Sequence, residues 1–161
     1  ILLNMSFALL SKEKEITGFY GFKFGAQYIP ETSNIKSDPL NETHTIDIKG
    51  KFRSFEKCEL FVSVTSKKIY GFKFTATFNN IEDQVKEAEN LTKFLKNNYQ
   101  FKKIDKFEQV FELENCIIST GMGLNTKSDK IYLYLRIYHK KLSDIASKES
   151  YKILETIKET D

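Results

Sequence analysis

The chain of 161 residues contains no tryptophan and only two residues each of histidine, cysteine, arginine and proline. A zinc site needs three or four ligands from His, Cys and acidic residues at close spacing. The histidines, His44 and His139, lie far apart in the sequence, as do the cysteines, Cys58 and Cys116. We therefore predict no metal and no cofactor.

The chain also lacks the short motifs of common enzyme families. It has no G-x-x-x-x-G-K-[ST] phosphate loop, no G-x-G-x-x-G dinucleotide motif and no G-x-S-x-G nucleophile elbow. With two histidines, few general bases are at hand for a Ser or Cys nucleophile. We predict no catalytic residue, and an enzyme with a site assembled from noncontiguous residues is kept as an alternative.

The scarcity of arginine argues against nucleic-acid binding. Proteins that recognise specific nucleic-acid sequences rely on the bidentate guanidinium group of Arg and on a clustered basic face. Here the arginines are Arg53 and Arg136, and the 25 basic residues alternate along the chain with 22 acidic ones. We predict no nucleic-acid partner.

What the sequence does contain is typical of one compact domain. Hydrophobic residues make up 40% of it and charged residues 29%, with 14 Phe and 8 Tyr, which is too apolar for a disordered chain. Charged residues interrupt the apolar runs, so we expect no membrane span. At this length roughly two thirds of the unfolded surface can be buried, which predicts one domain over residues 16–161.

Residues 1–15 are considered apart from that domain. The apolar run ILLNMSFALL fits either the remnant of a secretory signal or an N-terminal helix. The stretch GFYGFKFGA at 18–26 resembles the opening strand of small exported bacterial proteins of unknown function, which also implies export. We expect a periplasmic or secreted protein, with a cytoplasmic location as the alternative.

The two cysteines each open a strand-like run. In an oxidising compartment such a pair can bridge two strands, and closing a loop of this length stabilises a fold by about 4 kcal/mol in the chain-entropy model. The other interpretation is two buried free thiols. A Cys58–Cys116 disulfide is the candidate that the structure must test.

The pentapeptide YGFKF occurs at 20–24 and again at 70–74. Because the residues that follow the two copies differ, we interpret them as two inner strands of one sheet and not as a duplicated unit. The segment between them, 26–41, holds both prolines and is predicted to be a long loop. Alternation places the aromatic residues of each copy on one face of its strand: Tyr20, Phe22 and Phe24 in the first, and Tyr70, Phe72 and Phe74 in the second.

Hydrophobic spacing predicts two helices, over 80–98 and 141–159. Asn79 and Glu82 are the expected capping box of the first. Its core-facing residues are expected to be Ile81, Val85, Ala88, Leu91 and Leu95. Short turns join the other predicted strands, so we predict an α+β fold, with a single antiparallel sheet of about six or seven strands and two main helices packed on it.

The run KIYLYLRIYHK at 130–140 stands out from the Lys- and Glu-rich remainder. Alternation directs its aliphatic residues to the core and places Tyr132, Tyr134, Arg136 and Tyr138 on the opposite face. Tyr and Arg are enriched at binding hot spots, although Tyr also suits a strand that is covered by another element. These four residues are our candidate binding site.

The sequence thus predicts a small, exported protein that binds a protein partner without covalent chemistry. Besides the enzyme, a loop-inserting inhibitor is an alternative from another class. Its inserting loop would be 26–41 or 120–129.

Overall fold

The computed structural model describes residues 15–28, 35–38, 41–105, 108–125 and 130–160. Most of the predicted N-terminal segment, residues 1–14, lies outside these ranges. Within them the helices are α1 (Ile81–Asn98) and α2 (Lys140–Thr160). The strands are β1 (Gly18–Phe19), β2 (Phe22–Lys23), β3 (Ile35–Asp38), β4 (Asn41–Phe52), β5 (Phe55–Val62), β6 (Ile69–Phe78), β7 (Gln100–Asp105), β8 (Glu108–Glu112), β9 (Cys116–Asn125) and β10 (Lys130–His139).

Eight strands form one antiparallel sheet in the order β3-β4-β5-β6-β10-β9-β8-β7, and β1 and β2 form a separate hairpin. The predicted α+β class, with one main antiparallel sheet and two helices, is confirmed. The strand β3 lies inside 26–41, which we predicted to be a loop. Its four residues are too few to show alternation, and pairing with β4 decides their conformation.

The central strand β10 divides the sheet into two faces. Leu133, Leu135 and Ile137 lie opposite inward residues of β6 and are at most 1% exposed. We call this side the inner face, and the side that carries Tyr132, Tyr134, Arg136 and Tyr138 the outer face. The predicted division of β10 into core-facing and opposite residues is confirmed.

The first YGFKF copy forms a hairpin and not a strand of the sheet. Tyr20 and Gly21 have positive φ angles of 51° and 82°, the combination that a tight two-residue hairpin turn requires. Phe19 and Phe24 then pack edge-on against Phe72 of the inner face, with ring centroids 5.4 Å and 5.0 Å away. The predicted inner strand at 20–24 is therefore wrong, because the turn at Tyr20–Gly21 reverses the chain.

The second copy lies in β6, but the predicted face of Tyr70 is wrong. Phe61 pairs with Gly71 and Val62 pairs with Ile69, so Tyr70 is the extra residue of a β-bulge. The bulge breaks the alternation at one residue and places Tyr70 on the outer face. The two phenylalanines of the copy are fully buried on the inner face, as predicted.

Helix α1 begins one residue later than predicted. Its N-cap is Asn80, whose side-chain oxygen accepts the N–H of Asp83 at 2.8 Å. The predicted capping pair Asn79 and Glu82 is therefore wrong by one residue: Asn80 caps the helix, and its side-chain amide also donates to the Asp83 carboxylate at 2.7 Å.

Helix α1 packs on the inner face with three of the five predicted residues, Ala88, Leu91 and Leu95. Leu91 and Leu95 are buried, but Ile81 and Val85 are 65% and 38% exposed. Gln84 is buried in their place, and its Nε2 donates to the carbonyl of Tyr132 at 2.9 Å. Residues 84, 88, 91 and 95 follow helical spacing as well as 81, 85 and 88 do, so periodicity alone does not identify the contacting side.

Helix α2 follows β10 without a loop and lies at the ends of β6 and β10. Among its described side chains only Ala146 is buried. Neither helix of the described chain is long and apolar enough to cross a membrane.

The structure contradicts the predicted disulfide. Cys58 and Cys116 are separate buried thiols, and β6 and β10 lie between their strands. Three strand spacings amount to about 14 Å, whereas bridged Cα atoms lie within about 7 Å. Burial raises the pKa of both thiols to about 12, so they are protonated and unreactive at neutral pH. A disulfide therefore no longer supports export of the protein, and export stays a prediction.

Candidate binding face

The register of β10 brings the four candidate residues together on the outer face. Tyr134 lies between Thr75 and Gly121, and Arg136 lies between Lys73 and Ser119. In the described chain α1 packs on the inner face and α2 lies at the strand ends, so no described helix crosses the middle of the outer face.

Glycines in the neighbouring strands let the tyrosine rings lie close to the sheet. Gly123 of β9 faces Tyr132, and Gly71 of β6 faces Tyr138. A Cβ on Gly123 would lie 2.4 Å from Tyr132 Cζ, and one on Gly71 would lie 2.7 Å from Tyr138 Cδ1. Both rings therefore occupy the space above glycine, which restricts their conformational freedom before any partner arrives.

Gly71 belongs to the predicted strand of the second YGFKF copy, whereas Gly123 falls in the segment that was also considered as an inserting loop. The segment 120–129 was predicted to be the connecting loop, but β9 continues to Asn125. The described part of the proposed inserting loop is therefore strand, and residues 126–129 lie outside the described chain.

Tyr134 and Arg136 are joined by a third residue, Glu108 of β8. The Tyr134 hydroxyl donates to the Glu108 carboxylate at 2.6 Å, and Arg136 Nη1 donates to the same oxygen at 2.7 Å. The guanidinium lies 4.5 Å from the centre of the Tyr134 ring. Tyr134 is only 7% exposed, and burial together with the Glu108 hydrogen bond raises its pKa. This trio is a fixed polar platform with ring and guanidinium stacked on each other.

A second aromatic group lies towards the other edge of the outer face. Phe61 and Tyr138 stack with centroids 5.4 Å apart, and Tyr70 lies 6.0 Å and 6.3 Å from these two rings. Burial raises the pKa of Tyr70 to about 12, so its hydroxyl stays neutral at physiological pH. The rings extend the candidate stripe over β5 and β6.

Several charged side chains of this face are already paired within the molecule. Glu59 accepts from Lys73 at 3.1 Å. Glu112 accepts from Lys102 and from Lys140, and these hydrogen bonds lower its pKa to about 2. Arg136 and Glu108 form a further pair. Because these charges are paired within the molecule, the aromatic rings are the distinctive feature of the surface.

A cleft of about 380 Å³ adjoins the tyrosine stripe at the start of α2. One wall carries Ile117 and Tyr138 of the sheet, and the other carries Ser143 and Asp144 of the helix. Lys140 lies between the two walls, held by Glu112 at 2.9 Å. The cleft offers both apolar and acidic contact beside an aromatic ring.

A buried polar cluster at the edge of the inner face was not predicted. Glu42 and His44 are two residues apart on β4 and share a face, with Glu42 Oε1 and His44 Nε2 2.6 Å apart. The other Glu42 oxygen accepts from Lys67, and the Tyr28 ring packs on His44 at 4.6 Å. Burial acts to raise the pKa of Glu42, but the hydrogen bonds from Lys67 and His44 lower it below its usual value. The only sequence signal was the Glu-x-His spacing inside a predicted strand.

His139 lines a second cleft of about 380 Å³, together with Glu15, Glu114, Asn115 and the two lysines that follow it. Burial lowers the pKa of His139, and its Nδ1 accepts from the N–H of Leu142 at 3.4 Å. No Ser, Thr or Cys side chain lines this cleft among the described residues. In the same part of the chain, no group of three or more His, Cys, Asp and Glu side chains is placed to hold a metal ion.

The fold and the outer face together define an α+β protein with one helix-covered side and one side that carries partly buried aromatic residues. Comparison with protein-family models, curated proteins and solved structures found no match to this chain.

Proposed function

We propose that this protein binds another protein, without covalent chemistry, through the outer face of its sheet. The observation that carries the proposal is the row of Tyr132, Tyr134, Arg136 and Tyr138 on the outer face of a central strand, and no described helix crosses the middle of that face. Aromatic residues offer a large contact area with few rotatable bonds, and they are enriched among the residues that contribute most of the binding energy in protein interfaces.

The contacts divide the stripe into two roles. Tyr132 and Tyr138 are partly exposed, unlike the buried Tyr134, and are the expected contact residues. Tyr134 and Arg136 already bind Glu108, so they serve as the rigid support between them. A surface that is ordered before binding loses less side-chain entropy when a partner docks.

A protein partner fits this surface better than a highly charged ligand. The charged groups nearest the rings are paired internally, so a polyanion would find few free cations. The residue types match the core of a protein interface, where aromatic residues and Arg are enriched and Lys and Glu are depleted.

The test is site-specific photocrosslinking in cells of the source organism. A photoreactive phenylalanine analogue replaces Tyr132 or Tyr138 in the full chain, and the same analogue at Lys93 of α1 is the control. We expect one protein to crosslink from the outer face and not from Lys93. The crosslinked partner, once identified and purified, must then bind the chain without the analogue. Equal crosslinking from Lys93 would contradict the proposal.

A further inference from the structure

The connection between β5 and β6, residues 63–68, is held by carboxylates from two distant elements. Glu149 of α2 accepts the backbone N–H groups of Thr65 and Ser66, each at 3.2 Å. Glu42 of β4 accepts from the ammonium group of Lys67. The connection is thereby tied to both β4 and the C-terminal helix.

The connection is also internally ordered, so it offers Glu149 a fixed pair of donors. The hydroxyls of Ser63 and Ser66 lie 2.6 Å apart, and Ser63 Oγ accepts the N–H of Lys68 at 3.0 Å. Lys67 has a φ of 54°, a left-handed conformation that directs adjacent amides away from regular pairing.

Helix α2 is also fixed at its first residue. Its first residue, Lys140, is fixed by its N–H to the Asn115 carbonyl and by its ammonium group to Glu112 and the Leu113 carbonyl. Glu149 lies nine positions further on, about 13 Å along the helix axis. Between these two points Ala146 is buried and Leu142 and Ser143 are partly buried, so the first half of the helix is positioned by this packing together with the contacts of Lys140 and Glu149.

The helix between these points forms a wall of the cleft beside Tyr138. Ser143 and Asp144 face Ile117 and Tyr138 across it. We propose that Glu149 is a positioning residue that latches α2 onto the β5–β6 connection and thereby sets the width of this cleft. The effect on a partner rests on the proposed function, whereas the latch itself is a property of the chain alone.

The latch has a definite dependence on pH. Burial acts to raise the pKa of Glu149, but the hydrogen bonds from Ser66 and Thr65 lower it below its usual 4.5. The charged latch is therefore complete above pH 4.5 and is lost as the pH falls through the lowered value. The charged groups of the elements that meet here are Lys67 and Lys68 of the connection, Glu42 with its partner His44 on β4, and Lys148 and Lys152 of the helix.

The first experiment is amide hydrogen exchange of the full chain at neutral pH. In Glu149→Ala we expect the amides of Thr65, Ser66 and residues 143–152 to exchange about tenfold faster or more, because a hydrogen bond to a charged group is lost. Protection in β10 is expected to be unchanged. Glu155→Ala, an exposed carboxylate of the same helix, is the matched control and should behave like the wild type. Unchanged protection of Ser66 and α2 in Glu149→Ala would overturn the proposal.

The second experiment separates the latch from a general loss of stability. The amide proton shift of Ser66 is followed by NMR from pH 7 to pH 3 in the wild type, in Glu149→Ala and in Glu42→Gln. We expect a titration below pH 4.5 in the wild type and in Glu42→Gln, and none in Glu149→Ala. The same titration in Glu149→Ala would contradict the assignment. Neither measurement uses a partner. The role of Glu149 can therefore be tested even if the proposed function is wrong.

Discussion

The two faces of β10 are made of one strand but are organised in opposite ways. On the inner face Leu133, Leu135 and Ile137 are sealed by α1 and by the aromatic core. On the outer face Tyr134 and Arg136 bind a side chain of their own sheet, and the Arg136 side chain remains 33% exposed. Under the proposed function, stability and recognition belong to separate sides of the sheet, so substitutions should separate the two.

The largest expected effect is on the inner face, at its contact with α1. Leu91→Asp places a charge where the native side chain is 1% exposed, and a buried unpaired charge is among the most destabilising changes. We expect loss of the folded state or a destabilisation above about 4 kcal/mol in urea unfolding. Lys93→Asp, on the exposed side of the same helix, should change stability by less than about 0.5 kcal/mol. Equal tolerance of both would contradict the packing of α1.

A smaller effect is expected from removing volume beneath β10. Leu135→Ala should lower the free energy of unfolding by about 2–5 kcal/mol, because the side chain is 1% exposed and leaves a cavity. Thermal or urea unfolding measures this loss. The matched change on the outer face, Tyr132→Ala, should lower the free energy of unfolding by clearly less. An equal or larger loss would contradict the distinction between the two faces.

The buried charge at the edge of the inner face should give a pH-dependent effect. Glu42 has a lowered pKa in the folded state, so its contribution is present above about pH 4.5 and is lost as the pH falls through the lowered value. Glu42→Gln should cost about 1–3 kcal/mol at pH 7. The difference from the wild type should shrink below pH 4.5 in urea unfolding. A difference that is constant from pH 7 to pH 3 would show that the Glu42 charge is not responsible.

The platform on the outer face should contribute modestly. Tyr134→Phe removes the hydroxyl that donates to Glu108 but keeps the ring beside Arg136. We expect a loss of about 1.5 kcal/mol or less, since Glu108 retains Arg136 and is partly exposed to water. A loss as large as that of Leu135→Ala would mean that Tyr134 belongs to the core.

The sequence was informative where a pattern extended over many residues. Strands β4, β6 and β10 are each ten residues or longer and alternate over most of that length, and both helices repeat at helical spacing. These signals sufficed for the α+β class and for the division of β10 into two faces. They failed where one residue changes the geometry, as at the Tyr20–Gly21 turn and the Tyr70 bulge, because identical pentapeptides receive different tertiary surroundings.

The candidate site was predicted only as a row of side chains on one strand. Its support comes from other strands: Glu108 on β8, Gly71 on β6 and Gly123 on β9. Which strands become neighbours of β10 depends on the strand order, and the sequence carries no local signal for it. The same unknown order led to the wrong cysteine pairing.

The most direct test of the account is the affinity of the crosslinked and purified partner for variants of the outer face. Tyr132→Ala and Tyr138→Ala are compared with the wild type and with Lys93→Ala by isothermal titration calorimetry. We predict that each tyrosine variant weakens binding by about 1–4 kcal/mol while its unfolding transition stays close to that of the wild type, and that Lys93→Ala changes neither. Unchanged affinity in both tyrosine variants would contradict the assignment of recognition to the outer face.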